Sequence, residues 1–113
     1  MHEMSLAQNI LDIVLSTASQ NNVKKIMTIN IRAGQLRGIV PEQLEFCFGF
    51  VAKDTIVEGA KLQVNTVPIT GKCKQCQNEF SVEEYKFICP QCNHEDIEIL
   101  QGMELMVENI EAA

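Results

Sequence analysis

The sequence predicts an α+β fold, with two helices packed on a small three-stranded sheet and a cysteine-bearing lobe inserted between the last two strands. Three observations predict it. Apolar residues recur at helical spacing in two segments and alternate at strand spacing in three others. Four of the five cysteines stand in two brackets, Cys73-Lys-Gln-Cys76 and Cys89-Pro-Gln-Cys92, with twelve residues between them.

The first helix runs from Met4 to about Gln20, where Met4, Ala7, Leu11, Val14 and Ala18 recur at spacings of three and four and Ile10 and Leu15 widen the stripe. Asn21-Asn22 ends it. From Val23 to Ala33 the period becomes two, with Met27, Ile29 and Ile31 on one face and Thr28, Asn30 and Arg32 on the other. Gly34 and Gly38 mark a loop. Pro41 then suits the first turn of a second helix, with Glu42 beside its positive end. Leu44, Cys47, Phe48 and Val51 form its buried stripe, and Phe46 and Phe50 are expected to extend the packed face. Cys47 on that stripe reads as a small buried thiol rather than a ligand or reactive group. After a break at Gly59, Leu62, Val64 and Thr66 alternate with Lys61, Gln63 and Asn65 as a half-buried strand. Beyond the cysteines, Ile97 and Ile99 open a last extended stretch, interrupted at Gly102, in which Met103, Leu105 and Val107 alternate against Glu104, Met106 and Glu108.

Two residues between cysteines let one tight turn aim both sulfurs at one point, and two such turns supply four thiolates for a closed tetrahedral zinc site. Cys73, Cys76, Cys89 and Cys92 are therefore read as ligands of a structural zinc in a zinc-ribbon-like lobe. A redox or iron reading of the same spacing is the alternative. A redox dithiol needs only one bracket, however, and five cysteines is an odd count for a disulfide framework. The lobe is too small for a self-sufficient core, and metal binding would replace it. His94 can serve as a replacement ligand or as a hydrogen-bonding turn residue beside the cluster.

The formal net charge of −6 argues against nucleic acid as a partner, because Lys72, Lys74 and Lys86 face Glu79, Glu83, Glu84, Glu95 and Asp96 within the lobe. Phe80, Tyr85 and Phe87 read as packing residues rather than base-stacking ones. No apolar run approaches the ~20 residues of a membrane span. No signal-peptide pattern precedes the cysteines, so reduced thiols and a cytoplasmic location are expected. A closed four-thiolate site leaves no open position for a substrate, and no nucleophile-base pair or phosphate-binding glycine loop suggests an enzyme.

The chain opens Met1-His2-Glu3, directly before the first helix. A histidine second from a free amine can join its Nδ1, the intervening amide nitrogen and the α-amine in fused chelate rings. Nitrogen donors in a near-planar set select nickel(II) or copper(II) over zinc. Glu3 can add a carboxylate, a further amide nitrogen or outer support. The bulky imidazole at position 2 predicts that Met1 is retained. The plainer reading is a solvated histidine in a frayed terminus.

Met1-His2-Glu3-Met4-Ser5, the proline-glutamate helix from Val40 to Phe48, Glu58-Gly59-Ala60-Lys61-Leu62, the paired cysteines and Gly102-Met103-Glu104-Leu105 together resemble the HypA family of nickel metallochaperones for nickel-iron hydrogenase maturation. The resemblance spans essentially the whole chain in order. It implies a nickel-binding domain over 1–69 and 98–113 and a zinc-binding domain over 70–97. In that reading nickel, the transported metal, is held through His2 with the Met1 amine and Glu3, and zinc through the four cysteines. It further implies a HypB-type GTPase partner and a hydrogenase large-subunit precursor as nickel recipient, with urease as recipient for some relatives. The alternative is a zinc-ribbon protein-interaction module without nickel chemistry.

Overall fold

The computed structural model describes residues 3–113. Eight regular elements follow in order: helix α1 (Glu3–Gln20), strand β1 (Ile26–Gly34), helix α2 (Pro41–Val51), and strands β2 (Lys61–Val67), β3 (Thr70–Cys73), β4 (Glu79–Ser81), β5 (Ile97–Gln101) and β6 (Leu105–Ala112). A single 3-10 turn, Gln35–Arg37, lies between β1 and α2. The strands form two three-stranded sheets, ordered β2-β1-β6 and β4-β3-β5. The chain divides into two compact units. The described residues of one are 3–32, 39–65 and 106–113, and the other holds 33–38 and 66–105.

In the first unit α1 buries Ala7, Ile10, Leu11, Val14 and Ala18, the stripe that its spacing predicts. Asn22 takes the left-handed conformation (φ 55) at the helix end. The Val23 N–H reaches back to the Ala18 carbonyl at 2.9 Å, closing the last turn in a Schellman arrangement. Helix α2 starts on Val40, whose extended backbone precedes Pro41 at the first helical position, and it buries Leu44, Cys47 and Phe48. Ile26, Ile29 and Ile31 of β1 are fully buried, and removing each from water contributes about 1.5–3 kcal/mol. Bonds from Asn30 to Asn109 and from Arg32 to Glu108 run to falling residue numbers, so β1 and β6 are antiparallel.

In the second unit β3 is the central strand. It pairs antiparallel with β4 (Gly71 opposite Phe80) and with β5 (Cys73 opposite Ile97), with a bulge between Thr70 and Gly71 on the β5 side. The segment 33–38 belongs to this unit because its polar groups are satisfied there. Gly34 N–H bonds the Glu104 carbonyl at 2.6 Å and Leu36 N–H bonds the Gly102 carbonyl at 2.8 Å. Arg37 Nε donates to the Met103 carbonyl at 2.7 Å. The two segments come so close that a Cβ at Gly34 would overlap the backbone of Gly102 and Met103. Gly102 itself sits at φ 118 against Ile69, a conformation that side chains oppose.

The structure corrects four expectations. The stretch after Ile97 is two strands in two different sheets, because the left-handed turn at Gly102 redirects the chain between β5 and β6. Phe46 and Phe50 are 77% and 72% exposed. At about 100° per residue they fall on the side of α2 opposite its buried stripe. Met27 is 52% exposed, since the Ile26 N–H bonds the Ile56 carbonyl at 3.2 Å and Ile26 turns inward in its place. Tyr85 is 56% exposed and sits with Glu84 at consecutive left-handed positions (φ 58 and 53), where a turn carries it outward. Phe80 and Phe87 are half-buried. Among the described residues, no helix is long and apolar enough to cross a membrane.

Candidate metal centre

The two cysteine brackets fold into the same local shape. In the first, Cys73 N–H bonds the Asn78 carbonyl and Gln77 N–H bonds the Cys73 carbonyl, both at 2.9 Å. In the second, Cys89 N–H bonds the His94 carbonyl at 2.9 Å and Asn93 N–H bonds the Cys89 carbonyl at 2.8 Å. Gln77 and Asn93 hold the equivalent left-handed positions, φ 68 and 63. Each turn buries its first cysteine and exposes its second: Cys73 and Cys89 are inaccessible, whereas Cys76 and Cys92 are open to solvent.

The four sulfurs lie within 4.8 Å of one another. Cys73 Sγ is 3.5 Å from Cys92 Sγ, and Cys76 Sγ is 3.6 Å from Cys89 Sγ. A tetrahedron with metal-sulfur bonds of about 2.3 Å has edges of about 3.8 Å, and these two sulfur pairs already stand close to that spacing. The His94 imidazole is not part of this set of ligand atoms. His94 is half-buried, with its backbone in the second turn.

Backbone N–H groups aim at the sulfurs in matching pairs. Cys76 and Gln75 face Cys73 Sγ, and Cys92 and Gln91 face Cys89 Sγ. Asn78 N–H faces Cys76 Sγ, and His94 N–H faces Cys92 Sγ. These donors stabilise thiolate. The Cys76 N–H lowers the Cys73 thiol below 9.0. Burial raises Cys89, but the N–H groups of Cys92 and Gln91 and the sulfurs of Cys76 and Cys92 outweigh it and bring this thiol down to about 6. At Cys76 the Asn78 N–H lowers the thiol, yet partial desolvation by the surrounding cage and the sulfurs of Cys89 and Cys73 leave it raised above 9.0. At Cys92 the His94 N–H acts in the same sense, but partial desolvation by the surrounding cage and the other three sulfurs push the thiol up to about 12. Four negative charges in one cage repel, and a divalent cation removes that repulsion.

One contact to the cage was not foreseen in the sequence. Asn78 Nδ2 approaches Cys89 Sγ at 3.9 Å, reaching from one bracket to the other. Its signal was the position it shares with His94, two residues after the second cysteine of each bracket.

Met1 and His2, expected to hold nickel, lie outside the described residues. Glu3 is the first residue of α1. It borders an open pocket of about 310 Å³ in the first unit, lined also by Glu42, Gln43, Phe46 and Cys47. Cys47 is buried on α2, as its stripe predicts.

Fold and site define a small α+β metal-handling protein with a closed four-thiolate centre. Residues 1–112 match the family model described as hydrogenase/urease nickel incorporation metallochaperone, hypA. The chain is similar to hydrogenase maturation factor HypA of Desulfitobacterium hafniense, with 39% identity over 98% of this chain and 97% of that protein. The corresponding factor of Trichodesmium erythraeum is 37% identical over 98% and 95%. Among solved structures, a HypA protein in solution superposes with a TM-score of 0.76 at 20% identity, covering 100% of this chain and 97% of that one. The nickel metallochaperone HypA from Helicobacter pylori gives 0.69 at 20% identity, covering 99% and 97%. The chain belongs to the HypA family of nickel-incorporation metallochaperones.

Proposed function

We propose that this chain carries nickel(II) at its amino terminus and delivers it to a hydrogenase large-subunit precursor in the cytoplasm, working with a HypB-type GTPase. The observation that carries the reading is the match of residues 1–112 to the nickel-incorporation family, a span that includes Met1-His2-Glu3. The Met1 amine, the His2 imidazole and Glu3 form the proposed nickel site. A few nitrogen donors at a chain end leave open positions through which an acceptor ligand can enter before the chaperone's ligands leave. Nickel is cargo in this scheme, and zinc is a fixed part of the fold.

Cys73, Cys76, Cys89 and Cys92 would hold the zinc. When bound, it supplies a charge that cancels thiolate repulsion and joins two loops that have little apolar core of their own. The matched N–H groups on the four sulfurs support a permanent site, since they stabilise ligated thiolate without opening a coordination position.

Delivery is tested by mixing nickel-loaded chain with metal-free hydrogenase large-subunit precursor, a HypB-type GTPase and GTP, in the presence of a chelator that captures free nickel. Nickel recovered in the precursor supports direct transfer. Nickel found only in the chelator contradicts it.

A further inference from the structure

Phe46 and Phe50 are the most exposed large apolar side chains among the described residues, at 77% and 72%. They stand one turn apart on α2, on the face turned away from Leu44, Cys47 and Phe48. Glu42, Glu45 and Gly49 share that face by helical spacing. Gly49 lies within the helix, is exposed, and has open space where a Cβ would point. Packing therefore does not call for glycine there, and glycine weakens a helix relative to alanine. Its effect is to bare the backbone beside two exposed rings, leaving a notch for close approach. Phe46 also lines the pocket that Glu3 and Glu42 border.

We infer that this face of α2 docks a partner protein through an amphipathic segment whose apolar side chains recur at helical spacing and are flanked by Lys or Arg. Charge complementarity selects this occupant. Helix α2 carries Glu42 and Glu45 and no basic residue, and neither glutamate is engaged in an ion pair among the described residues. A second copy docked symmetrically would set the same glutamates against each other, on a chain already at −6. The shared pocket places a partner on Phe46 beside Glu3. That the partner exchanges nickel there rests on the amino-terminal reading proposed above.

The probe is a fluorescein-labelled helical peptide with two leucines one turn apart flanked by lysines, beside a twin flanked by glutamates. Each is titrated with the zinc-loaded full chain and followed by anisotropy. The lysine peptide binds, and the double variant Phe46→Ser/Phe50→Ser weakens it about tenfold or more, as expected for two apolar anchors. Gly49→Gln, which keeps the helix, also weakens it by filling the notch. Glu42→Lys/Glu45→Lys transfers preference to the glutamate peptide. Melting temperatures no lower than that of the wild-type chain exclude unfolding as the cause, Gly49→Gln being expected to melt slightly higher. Failure of the wild-type chain to bind the lysine peptide, or binding that ignores all three changes, overturns the inference. So does a wild-type dimer in sedimentation that Phe46→Ser/Phe50→Ser abolishes, because the occupant is then a second copy. Phe50→Ser leaves the nickel titration unchanged. If the wild-type chain binds no nickel while the peptide results hold, docking stands and the nickel reading fails.

Discussion

Single residues at the cage decide its proton chemistry. Without metal, Cys92 is pushed up to about 12 and Cys76 is raised above 9.0, so both hold protons at neutral pH, while Cys89 at about 6 is already ionised. Zinc needs all four as thiolates, so its binding at pH 7 expels protons from at least Cys76 and Cys92. The sign follows: affinity is greatest above the raised values and falls as acidity increases, Cys89 being among the last to lose its charge. Calorimetry at pH 7 in buffers of different ionisation enthalpy should read two or more protons released per zinc. A heat independent of buffer would contradict this account. The brackets themselves were legible because two residues between cysteines is a local instruction. The Asn78 contact to Cys89 was not, since it joins atoms on two separate turns.

At the scale of elements, two glycines have opposite expected outcomes. Gly34→Ala forces a Cβ into the backbone of Gly102 and Met103, and urea unfolding should show a loss of about 3 kcal/mol. Gly49→Ala adds a Cβ into open space on α2, and the same measurement should show a gain of about 0.5–1 kcal/mol. These two positions also mark where the sequence could and could not be read. The stripe of α1 and the alternation of Ile29 and Ile31 were legible because burial there follows the element's own period. Segment 33–38 reads as a plain loop, for its partners lie at 102–104, far along the chain. Strands β3 and β4, of four and three residues, are too short for alternation to register. Phe46 and Phe50 are as apolar as Phe48, but their helical angle sets them away from the buried stripe, so hydrophobicity alone does not place them.

For the whole molecule, the two units have unlike interiors. Helices α1 and α2 and strands β1 and β2 fill the first with aliphatic and aromatic side chains, whereas the second buries Val67, Ile69 and Val82 together with Cys73 and Cys89. Chelation of zinc should therefore collapse amide dispersion across 66–105 in a two-dimensional NMR spectrum while far-UV circular dichroism keeps the helical signal. Equal loss in both units would refute that division. Nickel titrated into zinc-loaded protein with an unmodified amino terminus should bind one ion per chain, and both His2→Ala and a chain extended by one residue before Met1 should lose that binding, because each breaks the fused chelate. Equal binding by all three proteins would contradict a terminal nickel site.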